Sequence, residues 1–366
     1  MNRRNLLAGI AATALHAGRF ERAVAQEIPW PTREWTVVDP ADVGMSADQL
    51  AIADQQIVAG YPDITGVVVV RGGGIAFERY YGSGYGQDDP VKIRSITKSV
   101  TGTLIGLAID DGLLTLDSTL GELIPDLIPP DADPLTPTIT VENLLTMTSG
   151  WDWDIHADYP TLIAADNYSK LTLSLPVVYQ PGTFYAYNTG GSHLLSVIVE
   201  AVTSDTTIRY ADTRLFGPIG INRPRWQRSP EGPVCGGSGL ELTARDLARF
   251  GLLALHSGEW DGTRLVSTDW FAAATTYQSS GDSTGYAAYG YQWWVIPESP
   301  YNAYFGLGFG SNYLYIAPAL DLIVVVLKGF ETPPSPVSIV RPLIEGSERC
   351  ATGCCPPFWS LPPRSP

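Results

Sequence analysis

Ser95 precedes Lys98 by three residues in the run IRSITKSVTGTLIG (93–106), and no other serine stands at that spacing before any of the four lysines, Lys92, Lys98, Lys170 and Lys328. Residues i and i+3 of a helix share a face, with Cβ atoms about 5–6 Å apart, so an amine at 98 can reach a hydroxyl at 95. A serine hydroxyl is a poor nucleophile until a base takes its proton, and a lysine is that base only as the neutral amine, a state that burial favours. The pair therefore predicts acyl transfer: Lys98 deprotonates Ser95, and Ser95 attacks a carbonyl. The motif is short, and a surface serine beside a lysine stem lying along a helix has the same spacing.

Rival arrangements fit the sequence less well. A histidine-based triad would have to draw on His156, His193 or His256. His193 falls in a helix-opening segment and His256 at a helix end, where a surface role is the expectation. Gly281-Asp282-Ser283-Thr284-Gly285 matches Gly-x-Ser-x-Gly but lacks the preceding strand and following helix of a nucleophile elbow. Asp152, Asp154 and Asp158 around His156 read as a solvated acidic loop rather than a metal site.

The elements that must hold the pair follow from periodicity. A helix is predicted around Ser46 to Ala59, with Ser46 as N-cap. Val67 to Val70 and Ile75 to Tyr81, joined by Gly72-Gly73-Gly74, form a hairpin. From Ile93 the period becomes helical: Ile96, Val100, Leu104 and Leu107 share one face, Gly112 caps the end, and Ser95, Lys98 and Gly102 share another face. The middle of the chain is helix and loop, with a short helix capped by Thr140 through Leu144 and Leu145, one from Leu194 to Val202, and one opened by Thr243. Strands return at Tyr289 to Val295, Ser311 to Ala317 and Leu322 to Leu327. Strands at both ends with helices between them predict an α+β fold, one antiparallel sheet built from the two chain ends with an inserted helical region, and a site in the cleft between the two parts.

Composition bounds the function. Hydrophobic residues are 45% and charged residues 17% of 366, as in a compact globular protein. The net charge of −15 repels phosphate backbones and anionic lipid, which excludes nucleic acid as an expected partner. Arg3 and Arg4 followed by an apolar run from Leu6 to Leu15, too short to span a bilayer, read as a signal peptide ending at Ala23-Val24-Ala25, by either the Sec or the twin-arginine route. The expected organisation is a signal peptide (1–25), a single catalytic domain (26–345) whose α/β part covers about 26–115 and 260–345 and whose helical part covers about 116–259, and a Cys- and Pro-rich tail (346–366). Of the four cysteines, Cys235, Cys350, Cys354 and Cys355, three crowd into that tail, where an oxidising compartment permits disulfides and nothing supplies a complete metal site.

The run 93–106 with the following DDGLLTLD resembles the nucleophile helix of the serine β-lactamase and penicillin-binding-protein superfamily, in its branch of class C-like esterases, D-aminopeptidases and 6-aminohexanoate-dimer hydrolases. ITVENLLTMTSG (139–150), PGTFYAYNTGGSHLL (181–195), GGSGLELTARDLARFG (236–251) and YGYQWW (289–294) follow in family order. The resemblance implies that fold and a Ser-Lys-Tyr mechanism without metal or cofactor. Placed from Pro181-Gly182, the family's Tyr-x-Asn motif falls on Tyr187, with Tyr185 as the rival, and Thr189 stands where the motif has Asn, so a carboxamide contact to substrate is lost. The third motif, Lys-Thr-Gly or His-x-Gly in relatives, falls on Phe309-Gly310-Ser311, with the backbone N–H of Asn312 paired with that of Ser95 as oxyanion hole. Phe309 cannot bind a substrate carboxylate, which favours a neutral ester or amide over a β-lactam or a D-Ala-D-Ala peptide.

The expectation is thus an exported serine hydrolase acting on a small ester or amide, with Trp151, Trp153, Trp293 and Trp294 either lining the cleft or packing the core. A β-lactamase or D-Ala-D-Ala carboxypeptidase-like enzyme, and a non-catalytic binding protein that keeps the fold, are the alternatives.

Overall fold

The computed structural model of the protein describes residues 28–222, 224–281, 287–329 and 343. The expected signal peptide, the Gly-x-Ser-x-Gly serine at 283 and the cysteines of the tail lie outside these residues. Among the described residues no helix is long and apolar enough to cross a membrane.

Seven antiparallel strands make the main sheet: β1 (Ile64–Arg71), β2 (Gly74–Tyr80), β3 (Ala288–Tyr289), β4 (Trp294–Val295), β5 (Tyr304–Gly308), β6 (Asn312–Ala317) and β7 (Leu322–Lys328), in the spatial order β2-β1-β7-β6-β5-β4-β3. The early hairpin thus joins the late strands where β1 pairs with β7, Val68 opposite Val325. The Val67–Val70 run is apolar throughout because both of its faces are covered. Val67 and Val69 pack in one cluster with Leu50, Ala53 and Ile57 of α1 (Ala47–Gly60), while Val68 and Val70 pack in a second, larger cluster with helices of the other layer. Ser46 caps α1 as expected, its hydroxyl accepting from the Gln49 amide at 3.3 Å.

The second layer centres on α2 (Thr97–Asp110), with α3 (Val141–Leu145), α4 (Tyr168–Leu173), α5 (Thr189–Thr203), α6 (Ala244–Leu255) and α7 (Thr268–Ala274) around it. Thr140 and Asn143 form a reciprocal capping box that starts α3, and Thr243 caps α6. The apolar stripe expected on α2 understates its burial. Every residue from Thr97 to Ala108 is buried, so the face carrying Lys98 and Gly102 looks into protein rather than solvent. The sequence of α2 is rich in Thr, Val, Ile and Gly, poor helix formers, and the helix is held by packing on all sides.

Two departures from the expected strands matter for the site. Tyr289 to Val295 is not continuous: β3 and β4 are separated by a bend at 290–293, in which Gln292 takes a left-handed φ of 63°. A glycine-rich strand, β5, was not expected from YFGLG because Gly306 and Gly308 weaken the β signal. Their lack of side chains has a cause in packing: a Cβ on Gly306 would sit 3.0 Å from Ile96 Cγ2, and one on Gly308 2.5 Å from the Ile93 carbonyl oxygen.

The same logic of close approach applies to Gly106 on α2, where a Cβ would fall 2.6 Å from Cγ of the Trp270 indole on α7. Replacing a helical glycine by alanine ordinarily gains about 1 kcal/mol, but overpacking a rigid ring costs about 1–3 kcal/mol. Gly106→Ala is expected to lower the urea midpoint of unfolding, and a higher midpoint would show that α7 yields without strain.

Candidate active site

The candidate nucleophile, Ser95, is set by a short chain of local constraints. Val91–Lys92 pairs with Leu240–Leu242, the Ile93 amide continues that ladder to the Leu240 carbonyl at 2.9 Å, and the Leu240 amide donates to Thr97 Oγ1 at 3.3 Å. Between these anchors the chain turns sharply. Arg94 adopts φ 54°, a left-handed conformation that costs a non-glycine residue about 1–3 kcal/mol, and Arg94–Ile96 form a 3-10 turn leading into α2. Ser95 sits in that turn and Lys98 in the first turn of α2.

Lys98 is 1% exposed. Its Nζ donates to Ser95 Oγ at 3.2 Å, to Thr189 Oγ1 at 3.2 Å and to the Gly237 carbonyl at 2.7 Å. Three acceptors match the three protons of an ammonium. Among the described residues no carboxylate compensates the charge, and burial lowers the pKa from 10.5 to about 7. A neutral amine keeps two of these bonds and turns its lone pair to the third partner, and only Ser95 has a proton needed for chemistry.

Tyr187 completes the group. Its ring centroid lies 4.9 Å from Lys98 Nζ, and its phenol is near enough to the Ser95 hydroxyl for that group to act on the phenol's acidity. Burial raises the phenol pKa, against a smaller opposing effect of the nearby Ser95 hydroxyl, so the phenol holds its proton. The ring is fixed by Trp294 of β4, stacked at 5.6 Å, and by Tyr289 of β3, edge-on at 6.0 Å. Tyr185, the rival tyrosine, packs on Tyr289 and Trp294 behind Tyr187, at ring-centroid distances of 5.7 and 6.4 Å, and supports that wall.

The remaining expected site residues divide. Thr189, the first residue of α5, is brought to the site, but as an acceptor for Lys98 rather than as a donor to substrate. Phe309 is 69% exposed at the tip of the β5–β6 hairpin, and Ser311 closes that turn at φ 81° with its amide on the Gly308 carbonyl. Asn312 is a correction. It starts β6, one strand inward from β5, where its carboxamide accepts from the Lys328 amide at 2.8 Å and its backbone faces Gly308 across the hairpin. The strand against the nucleophile turn is β5. The Ala303 carbonyl accepts from Ile296 on the β4 side, and since backbone polar groups alternate along a strand, Phe305 and Leu307 point theirs to the same edge. Pairing with β4 ends at Phe305, so the Leu307 N–H is directed to an open edge. Trp151 is a second correction: it is 1% exposed in the main core, its indole N–H on Thr136 Oγ1, and lines no cleft. Trp293 is likewise core, stacked on Phe250.

The histidines hold other posts. His193 is buried rather than exposed, its Nε2 3.0 Å from Glu231 Oε1 and 3.3 Å from Ser169 Oγ, tying α5 to α4 and to the loop before Gly236. His256 packs edge-on to Trp30. Asp154 caps the helix Ile155–Ala164, and Cys235 is buried, its thiol pushed up to about 11 by desolvation.

These features agree with what comparison with known proteins returns. The family model described as Beta-lactamase matches residues 54–344. The 6-aminohexanoate-dimer hydrolase of Paenarthrobacter ureafaciens is 26% identical over 294 residues, covering 73% of this chain and 72% of the relative. Lovastatin esterase of Penicillium rubens is 30% identical over 155 residues, 37% of this chain and 39% of the relative. A solved Bacillus anthracis protein, provisionally described as a 6-aminohexanoate-dimer hydrolase, superposes with a TM-score of 0.73 at 21% identity over 88% of this chain and 89% of its own, a likeness of fold. With Ser95, Lys98 and Tyr187 gathered under an antiparallel sheet made from both chain ends, the chain belongs to the β-lactamase family of serine hydrolases.

Proposed function

We propose that the protein is an exported serine hydrolase that cleaves a neutral ester or amide through an acyl-enzyme on Ser95. The observation that carries the reading is the buried Lys98 amine 3.2 Å from Ser95 Oγ, with the Tyr187 ring 4.9 Å from the same amine. Neutral Lys98 takes the hydroxyl proton as Ser95 Oγ attacks the substrate carbonyl carbon. The Ser95 and Leu307 N–H groups receive the developing oxyanion, a role for which the turn and the open edge of β5 are pre-set. Tyr187, kept protonated by burial, passes a proton to the departing alcohol or amine and regains one through Lys98. Water then attacks the acyl-enzyme by the same route, releasing the acid and restoring Ser95.

An uncharged substrate is supported by Phe309, a phenyl group exposed at the hairpin tip next to the nucleophile turn. The relatives' own names, a dimer hydrolase and an esterase, fit cleavage of an amide or an ester. Export is supported by Arg3, Arg4, the apolar run from Leu6 and Ala23-Val24-Ala25.

A fluorophosphonate probe is expected to label the wild type and not Ser95→Ala. With p-nitrophenyl esters, Lys98→Ala and Tyr187→Phe should each lower kcat by about 10²–10⁴-fold while far-UV circular dichroism is unchanged. A wild type that neither labels nor turns over ester, D-amino-acid amide, nylon-oligomer or β-lactam panels would end the hydrolase reading. The pH profile carries a second expectation: kcat/KM should rise through about pH 7 as Lys98 loses its proton and stay level above it. Stability follows with a definite sign. Below about 7 both folded and unfolded chains hold the Lys98 proton and the full cost of burying the charge applies, whereas between about 7 and 10.5 only the unfolded chain holds it and stability rises with pH. Relative to wild type, Lys98→Met should therefore gain most stability below pH 7 and least near pH 10, as read from urea midpoints.

A further inference from the structure

Gln292 lies in the bend between β3 and β4, 2% exposed, and every polar atom it carries is bonded to an element that bears a site residue or supports one. Its carbonyl accepts from Ser99 Oγ at 2.8 Å, the residue after Lys98 on α2. Its Oε1 accepts from Ser192 Oγ at 2.8 Å, one turn beyond Thr189 on α5. Its Nε2 donates to the Leu144 and Leu145 carbonyls, both at 3.0 Å, and its amide to the Leu145 carbonyl at 3.1 Å, at the end of α3. Two residues later Trp294 stacks on Tyr187. Holding this position requires the left-handed φ of 63°, unfavourable for a glutamine, and a glycine on the facing turn of α2, since a Cβ on Gly102 would meet Gln292 Cβ at 3.1 Å. Strain and a cleared helix face are retained where a side chain with both a donor and an acceptor end is needed: one carboxamide end must accept from a hydroxyl while the other donates to two carbonyls.

We propose that Gln292 is a positioning residue for acyl transfer, the tie that fixes the spacing of Lys98, Thr189 and Tyr187 by clamping α2, α5 and α3 to the strand bearing Trp294. It touches none of the reacting atoms and acts through Ser99, Ser192 and Trp294. The inference rests on the Ser-Lys-Tyr reading, and its test separates from that reading because Lys98 can be followed without turnover.

With only four lysines in the chain, carbon-13 labelling at lysine Cε gives a spectrum in which the Lys98 signal is assigned by its loss in Lys98→Arg. Gln292→Met keeps length and removes both polar ends. It is expected to raise the Lys98 titration midpoint by half a unit or more, to move the acid limb of kcat by the same amount, and to lower kcat about tenfold or more with KM changed less than threefold. Ser192→Ala, which removes one partner and leaves the backbone alone, should shift the midpoint in the same direction by less, and decides the matter if Gln292→Met does not fold. Ile57→Val in the opposite cluster, matched for lost stability, should leave the midpoint unmoved. Wild-type values of the Lys98 midpoint in both Gln292→Met and Ser192→Ala, or an equal shift in Ile57→Val, would overturn the proposal. Absence of any wild-type turnover would end the hydrolase reading and leave the midpoint measurement to judge the clamp.

Discussion

A lysine amine sealed from water with no carboxylate beside it is the constraint around which the rest of this structure is arranged. Burying an ammonium costs several kcal/mol unless its protons are met, and here the Gly237 carbonyl, Thr189 Oγ1 and Ser95 Oγ meet them from three separate parts of the chain. Each acceptor in turn has to be held. Gly237 is held because the neighbouring Gly236 carbonyl accepts from Thr101 on α2 at 2.7 Å, Thr189 because Asn188 caps its helix, and Ser95 because a strained turn fastened at Ile93 and Thr97 leaves it little choice. The left-handed Arg94 makes sense as a consequence of bringing Ser95 to this amine, while the two interior glycines of α2 admit Gln292 and the Trp270 ring.

The neutral acceptor set also explains why the amine is useful. A carboxylate partner would have stabilised the ammonium and held Lys98 charged at every physiological pH, whereas hydroxyls and a carbonyl solvate it without adding charge, so burial governs the proton. Tyr187 is tuned by the same burial in the opposite chemical sense, as an acid that keeps its proton beside a base that gives its own up. One dry pocket thereby supplies both a proton acceptor and a proton donor on the two sides of a single hydroxyl.

Much of this was legible in the sequence, and the illegible part has a common physical character. Ser95, Lys98 and Tyr187 announce themselves by side-chain type and spacing, and so do the caps at Ser46, Thr140 and Thr243, because a cap needs a particular side chain. Gly237 acts through its backbone carbonyl, and the oxyanion role proposed for Leu307 is a backbone role too, so residue type says nothing of either. Asn312 was favoured by motif position, yet the hairpin at 309–311 places the nucleophile against β5, whose glycines had hidden it as a strand. Trp151 was ambiguous because a tryptophan is equally suited to a core and to a cleft, and only the packing around it tells which. His193 misled for a similar reason: a histidine on a helix is ordinarily exposed, and its buried partner Glu231 lies too far along the chain for spacing to reveal.

The pairing of β1 with β7 has a kinetic meaning. The strand that backs the nucleophile's layer meets its neighbour only when the last described strand has been made, Val68 finding Val325 and Val70 finding Ile323. Contacts so distant in sequence place the closure of the sheet late and make it slow, since a long loop must lose its freedom before any pairing rewards it. Until that moment the valine run of β1 is an unpaired, fully apolar edge, the kind of surface on which chains associate wrongly. The geometry that lets distant acceptors converge on one amine therefore leaves the newly made chain dependent on prompt completion, and its yield of folded protein should be governed by how quickly its two ends find each other.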